Sequence, residues 1–393
     1  MQILHVIPSL AQSSGGAVQA LDRILRLPEM EAAAIRVVAT QLPDEETSLL
    51  LPREIEAQVF TASRAGGFRW SASLEAAFHR ISQVDLIHSH LLWTHPHWAA
   101  ARLARRRRIP HLISPCGTLS PGALRHRGWK KRLMAFAFQR RALREAACLH
   151  IFSELEAEQI GTYLPGKFCA LIPPAILAPK PLPPEVPAAA RERFGLGTET
   201  PFLLFLGRLH PVKNLPNLLH AWARTGESVK SWKLVLAGPD EASHQRELEQ
   251  LAAELGIAER LAWTGLLSNA EVASLLSNAK GLGLPSRFEN FGLAAVEALA
   301  AGVPVIASRQ TPWSSLQQTG AGWWVESSPA ALSQAIQELA AESTGQHLAR
   351  QEAARTLARR FSPEAVSGKW EQLYAWLVGA SERPSFVKAA SAS

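Results

Sequence analysis

The chain has 393 residues, with 41 Lys+Arg against 34 Asp+Glu, a formal charge of +7, 47% apolar and 19% charged residues. This composition excludes a disordered or collagen-like chain, and the length suffices for two domains, each able to bury a core without disulfides or metals. Cys116, Cys148 and Cys169 are scattered without C-x-x-C spacing, which excludes a disulfide framework and a structural zinc site and fits a reducing compartment.

Met1 to Ile7 is a short apolar run ending at Pro8. The first residues lack the basic region and cleavage site of a signal peptide, and no apolar run reaches 18 residues, so a cytoplasmic protein is expected. After Gly15 and Gly16, the spacing of Val18, Leu21, Ile24 and Leu25 predicts a helix, giving strand, glycine loop, helix. Further strands are expected at Ile35–Ala39, Gln58–Phe60, Asp85–His88, His111–Ser114, Cys148–Phe152 and Phe168–Ile172, most of them separated by helical periodicity. Such alternation implies a mainly parallel sheet covered on both faces.

Within this half the charge is concentrated. Arg102 to Arg144 spans 43 residues with 13 Lys/Arg and no acid, so the other 350 residues carry 28 basic and 34 acidic side chains, a balance of −6. Arg125 to Ala147 interleaves cations with Trp129, Leu133, Met134, Phe136, Phe138 and Leu143 at roughly helical spacing. That pattern suits an anionic membrane surface or a phosphate-bearing lipid-linked ligand. An ordinary surface helix with solvated cations has the same pattern, and both readings stay open here. Nucleic acid is not expected, since the window carries no RNA-binding signature.

A proline-dense stretch over 173–187 marks an interdomain linker, taken as 173–200. Alternation then resumes, with strands expected at Phe202–Leu206, Lys233–Ala237, Leu261–Trp263, Gly281–Leu284 and Val303–Ala307. The fold class is therefore α/β, with two doubly wound parallel-sheet domains: 1–172, joined by a C-terminal helix over 362–380, and 201–361. Ser362 as N-cap, Pro363 at the first helical position and Glu364 in the first turn open that last helix. The tail 381–393 is read as flexible.

Two segments of the second half carry chemistry. In FLLFLGRLHPVKNLPNLL a buried strand ends at Gly207, and Arg208 and Lys213 lie on the loop before a helix capped by Asn214. Two cations beside a helix N-terminus can clamp a diphosphate without a metal, although loop cations are usually only solvated. In PSRFENFGLAAVEALAAGVP, Glu289 and Glu297 flank a loop-to-helix junction at Gly292. Carboxylates there would repel phosphate unless they accept from hydroxyls, which suits a sugar joined to a diphosphate. A capping Glu289 and an Arg-paired Glu297 are the alternative.

Gly207-Arg208, Lys213-Asn214 and Glu289-x7-Glu297 after Pro285-Ser286, in this order, resemble the donor half of the retaining GT-B glycosyltransferases of family 4, the group 1 glycosyl transferases. ILHVIPSLAQSSGGAVQAL resembles that family's first strand and di-glycine loop. DLIHSHLLW and TPWSSLQQTGAGWWVE resemble a bacterial subgroup with a His-x-His-Gly-Leu-Trp stretch. The resemblance implies two Rossmann-like domains facing a central cleft and transfer of a hexose from a nucleotide diphosphate sugar to a saccharide or lipid-linked saccharide. It also implies retention at the anomeric centre, with no metal and no cofactor, and the chain has no Asp-x-Asp motif.

On this chain the resemblance places Arg208 and Lys213 on the leaving diphosphate. Glu289 and the Asn290, Phe291 and Gly292 backbone fall on the donor sugar, Glu297 on the ribose, and Gly15 and Gly16, counted with the donor-binding residues, where the backbone closely approaches the diphosphate or the acceptor. The N-terminal domain would bind the acceptor, with His90, Cys116 and Arg125 as candidates. Cell-surface polysaccharide synthesis at the inner face of the plasma membrane is the implied setting. Three departures stand out. Pro115-Cys116-Gly117 replaces a His or Arg, Leu91 replaces a Gly, and Pro173-Pro174-Ala175-Ile176-Leu177 replaces the usual linker motif. The first motivates an alternative, a catalytically silent relative that binds nucleotide sugar or glycan as a partner subunit.

Overall fold

The computed structural model describes residues 1–393 apart from 12–14, 31–32, 44, 46–50, 53–54, 64–66, 121–122, 125–137, 177–190, 198, 242 and 392–393. The chain divides into two compact units, Met1–Ala175 with Pro363–Ser393, and Ile176–Ser362. Arg125 and most of the proline-dense stretch lie outside the described residues.

In the first unit the strands are β1 (Gln2–Ile7), β2 (Ala34–Gln41), β3 (Glu56–Thr61), β4 (Leu86–His90), β5 (His111–Ser114), β6 (Cys148–Ile151) and β7 (Phe168–Leu171). They pair in parallel in the order β7-β6-β5-β4-β1-β2-β3. The helices are α1 (Gly16–Leu25), α2 (Ala72–Arg80), α3 (His95–Arg107), α4 (Arg140–Glu145) and α5 (Glu154–Tyr163). In the central strands β1, β4, β5 and β6 nearly every side chain is buried, because helices cover both faces of the sheet.

The second unit repeats the plan with β8 (Phe202–Leu206), β9 (Lys233–Ala237), β10 (Leu261–Gly265), β11 (Gly281–Leu284), β12 (Val305–Ser308) and β13 (Gly322–Val325). Their order is β10-β9-β8-β11-β12-β13, all parallel. Its helices are α6 (Leu215–Arg224), α7 (His244–Glu254), α8 (Asn269–Asn278), α9 (Leu293–Ala300), α10 (Ser315–Thr319), α11 (Pro329–Ala340) and α12 (Thr344–Ala358). β13 was not expected from sequence, since Gly322 and two half-buried tryptophans make no continuous apolar run.

Helix α13 (Pro363–Leu377) belongs to the first unit, where Val366, Trp370, Leu373, Tyr374 and Leu377 join Ile3, Ile7, Leu86 and Leu112 in one core. The reading of 381–393 as a flexible tail needs correction. Val387–Ala389 forms β14, antiparallel to β7, and backbone bonds between Ala390 and both Gly166 and Lys167 extend the pairing. Val387 is buried, and the strand covers a sheet edge that would otherwise leave N–H and C=O groups unpaired.

Each sheet has one place where neighbouring strands lead away in opposite directions, between β1 and β4 and between β8 and β11. At such a switch point the loops leaving the carboxyl ends diverge and open a crevice.

Candidate functional site

The second unit's switch point gathers most of the residues singled out in sequence. β8 leads directly into Gly207, whose φ of 152° suits glycine. It lies so close to the β9 end that a Cβ on Gly238 would meet the Gly207 carbonyl oxygen at 2.1 Å. The chain continues through Arg208, Leu209 and His210 into a short turn of helix, Pro211–Lys213, where His210 Nδ1 accepts from the Val212 N–H. Burial lowers the His210 pKa, which favours that acceptor form.

Lys213 Nζ lies 2.7 Å from Glu289 Oε2, the two side chains being 17% and 15% exposed. Ser286 Oγ donates to the same carboxylate oxygen at 3.0 Å. A cation and an anion thus share one sheltered position, and Glu289 is held by two donors rather than capping the helix. The loops are tied together by the Arg287 N–H to Val212 carbonyl bond, by Asn214 Nδ2 to Ser327 Oγ, and by Ser327 Oγ to the Pro285 carbonyl. Ser308 Oγ donates to the Ser286 carbonyl at 2.5 Å. Ser286, Arg287, Ser308 and Ser327 were missed as supporting residues; of these, only Ser286 carried a sequence signal, in the Pro285-Ser286 step.

Asn214 stands at the N-cap of α6, but its side chain does not cap it, contrary to expectation. Its φ is 55°, a left-handed backbone that Asn tolerates, and its amide instead bonds Ser327 and accepts from Arg287 Nε at 3.1 Å. Arg208 does not join the Lys213 cluster. It is 46% exposed and paired at 2.5 Å with Glu241, on the loop after β9.

The segment after β11 runs through half-buried Glu289 and Asn290 and buried Phe291 to Gly292, whose φ of 85° starts α9. No side chain caps this helix, so its first turn presents backbone N–H groups and positive dipole character beside Glu289. Glu297 is half-buried on the same helix.

At the first unit's switch point, Gly15 has φ 75° and precedes the first turn of α1, while half of the glycine loop lies outside the described residues. His90 ends β4 fully buried, and its Nε2 lies 3.0 Å from His5 Nδ1. His88 bonds Tyr374 through Nδ1 and Ser114 through Nε2, and Ser114 Oγ continues to His150 Nδ1, whose Nε2 meets the Ile172 carbonyl. Below the other sheet face, Ser89 Oγ bonds both His97 and His111. Burial depresses His5 to about 3 and His97 and His150 to about 4, and drives His88, His90 and His111 well below the usual imidazole range.

His90 is therefore a buried, neutral, hydrogen-bonded imidazole. Possible ligand nitrogens of His5, His88 and His90 lie within 4.8 Å of one another, the one such group of three among the described residues. Hydrogen bonds engage both nitrogens of His88, His5 Nδ1 and His90 Nε2, while buried His5 Nε2 has no partner, and no carboxylate is part of the group to offset a buried divalent charge. Cys116 has φ 51° and donates to the Ser114 carbonyl, and burial pushes its thiol up, which does not suit a nucleophile. The adjoining Gly117 N–H is held by the buried Glu156 carboxylate at 2.8 Å, as is that of Phe152 at 3.0 Å. Among the described residues no helix is long and apolar enough to cross a membrane.

Residues 188–356 match the family described as "Glycosyl transferases group 1", and residues 12–174 match the "Glycosyl transferase 4-like domain". A D-inositol 3-phosphate glycosyltransferase of Streptomyces bingchenggensis is 30% identical over 244 residues, 59% of this chain and 53% of that protein. Its counterpart in Stackebrandtia nassauensis is 32% identical over 235 residues, 57% and 52% of the two chains. The chain thus spans about half the length of the curated relatives it matches. Among solved structures, Anabaena HepE in complex with UDP and glucose superposes with a TM-score of 0.77 at 19% identity, over 96% of this chain and 100% of that one. The sucrose-phosphate synthase of Thermosynechococcus elongatus gives 0.77 at 21% identity, over 97% and 100%. At such identity these neighbours bear on the fold alone.

Proposed function

We propose, from the premise that the chain belongs to the group 1 glycosyl transferases, that it moves a hexose from a nucleotide diphosphate sugar to a saccharide or lipid-linked saccharide, with retention and without a metal. The observation that carries this reading is the Lys213–Glu289 pair, sheltered at the β8–β11 switch point and backed by the uncapped start of α9. Breaking a glycosyl phosphate bond places negative charge on the diphosphate and positive charge on the sugar, so stabilising the leaving group is the main lever. Lys213 supplies a point charge to that diphosphate and Arg208 a planar fork once it leaves Glu241. Glu289, freed from Lys213, accepts from sugar hydroxyls, and the N–H groups at Gly292 and the first turn of α9 complete the site. Glu297 holds the ribose hydroxyls. In a front-face displacement the leaving phosphate oxygen takes the acceptor's proton, so no separate general base is needed.

The first unit takes the acceptor, with the Gly15 and Gly16 backbone beside it. Cell-surface polysaccharide is the proposed product, with docking on an anionic membrane through 102–144. In support, Arg105 to Arg108 are exposed at the end of α3, and Arg102 stacks over Trp98 at 4.5 Å. Each cation near an anionic leaflet contributes about 1 kcal/mol.

The test is thermal shift of the purified protein against UDP-, GDP- and ADP-sugars, followed by transfer assays with any donor that binds. Stabilisation by one donor class and its turnover would support the reading. Binding without turnover would favour a silent partner subunit, and no binding to any donor would refute transfer and leave the silent relative only as a glycan binder.

A further inference from the structure

The segment bearing Glu289, Asn290 and Phe291 is neither helix nor strand, yet it must hold a carboxylate and several backbone N–H groups in one arrangement. Its fixed point is Trp313, between β12 and α10, which is 2% exposed. The indole Nε1 donates to the Phe291 carbonyl at 2.6 Å. The Trp313 and Phe291 rings lie 5.4 Å apart, and both contact Phe361, at 5.7 and 5.5 Å. Gly292 fits under the indole: a Cβ there would lie 3.1 Å from Nε1 and 3.0 Å from the Glu289 Cγ. Phe361 is the penultimate residue of this unit, and its carbonyl accepts from the N–H of Ile176, the unit's first residue, at 2.7 Å. One aromatic stack therefore joins the loop to both points where the chain enters and leaves the unit.

We propose that Trp313 is a positioning residue for this loop: its N–H and ring fix the Phe291–Gly292 peptide for the donor, and through Phe361 the loop's occupancy is felt at the Ile176–Phe361 bond. The proposal rests on the donor-site reading above. Trp313→Phe keeps a ring at the position and removes the N–H that donates to the Phe291 carbonyl. Trp222 is the internal control, since it is fully buried in the same unit with an Nε1 that has no hydrogen-bond partner. Trp222→Phe removes similar volume and no hydrogen bond.

The experiment measures UDP-, GDP- and ADP-hexose binding by calorimetry and amide exchange at Ile176 with and without the nucleotide sugar that binds. Trp313→Phe should weaken binding about tenfold, as for a lost buried bond, while Trp222→Phe leaves it within about twofold. The nucleotide sugar should slow exchange at Ile176 in the wild type and not in Trp313→Phe. Equal nucleotide-sugar affinity in wild type and Trp313→Phe would overturn the proposal alone, as would equal weakening by Trp222→Phe or an Ile176 response that survives in Trp313→Phe. Failure of the wild type to bind any of the three nucleotide sugars would overturn the donor reading and this proposal with it.

Discussion

Acidification should destabilise the first unit far more than the second. His5, His97 and His150 titrate at about 3, 4 and 4 in the folded chain because burial disfavours imidazolium. An unfolded histidine titrates near 6.5. The folded values are depressed, so the unfolded state binds more protons as pH falls; the contribution is complete above about 6.5 and is lost progressively toward 3 to 4. A histidine kept neutral in the fold loses about 1.4 kcal/mol per pH unit in that window, or about 2 kcal/mol between pH 7 and 5. Three such residues lose about 6 kcal/mol, against a domain stability of about 5 to 15 kcal/mol. His88, His90 and His111 act in the same direction, with Lys167 adding to the repulsion at His111. Urea denaturation at pH 7, 6 and 5, with hydrogen-exchange mass spectrometry assigning transitions to β4 and β5 or to β11 and β12, measures this. A first-unit midpoint that falls no more than the second unit's would refute the reasoning.

Three further outcomes follow from the geometry. Gly238→Ala, whose Cβ would stand 2.1 Å from the Gly207 carbonyl oxygen, should cost roughly 2 kcal/mol or more in urea stability and weaken nucleotide binding as Gly207 shifts. Glu241→Gln should free Arg208 from its ion pair and raise donor affinity a few-fold at low salt, measured by calorimetry; lower affinity would show that the pair orders Arg208 for the ligand. Truncation after Pro384 removes β14 and the buried Val387 and should cost the first unit about 2 kcal/mol, read from its urea midpoint; an unchanged midpoint would show that the strand contributes nothing.

Both sheets were legible because their central strands are unbroken apolar runs between glycine loops and periodic helices, as in FLLFL over β8 and LVLA within β9. β14 was hidden because three residues in a small, polar tail become a strand only when the β7 edge is present. Lys213, Glu289 and Gly207 could be picked out because their residue types meet at loop ends. Which of them touch was set by tertiary pairing, which left Arg208 with Glu241 and turned Asn214 toward Ser327. The buried histidine network was invisible for a related reason: a histidine inside an apolar strand carries no local sign of the serine or tyrosine it will meet across the sheet. Trp313 lay in a segment quoted for its resemblance, and its function depends on Phe291 and Phe361, 22 residues before it and on the far side of three helices.

The central claim is that Lys213 stabilises the leaving diphosphate. Donor-cleavage rates at saturating nucleotide sugar for wild type, Lys213→Ala and the nearly isosteric Lys213→Met test it most directly. Both variants should keep the wild-type melting behaviour within a few degrees and lose about 100-fold or more in kcat. Cleavage within threefold of wild type in both would contradict it.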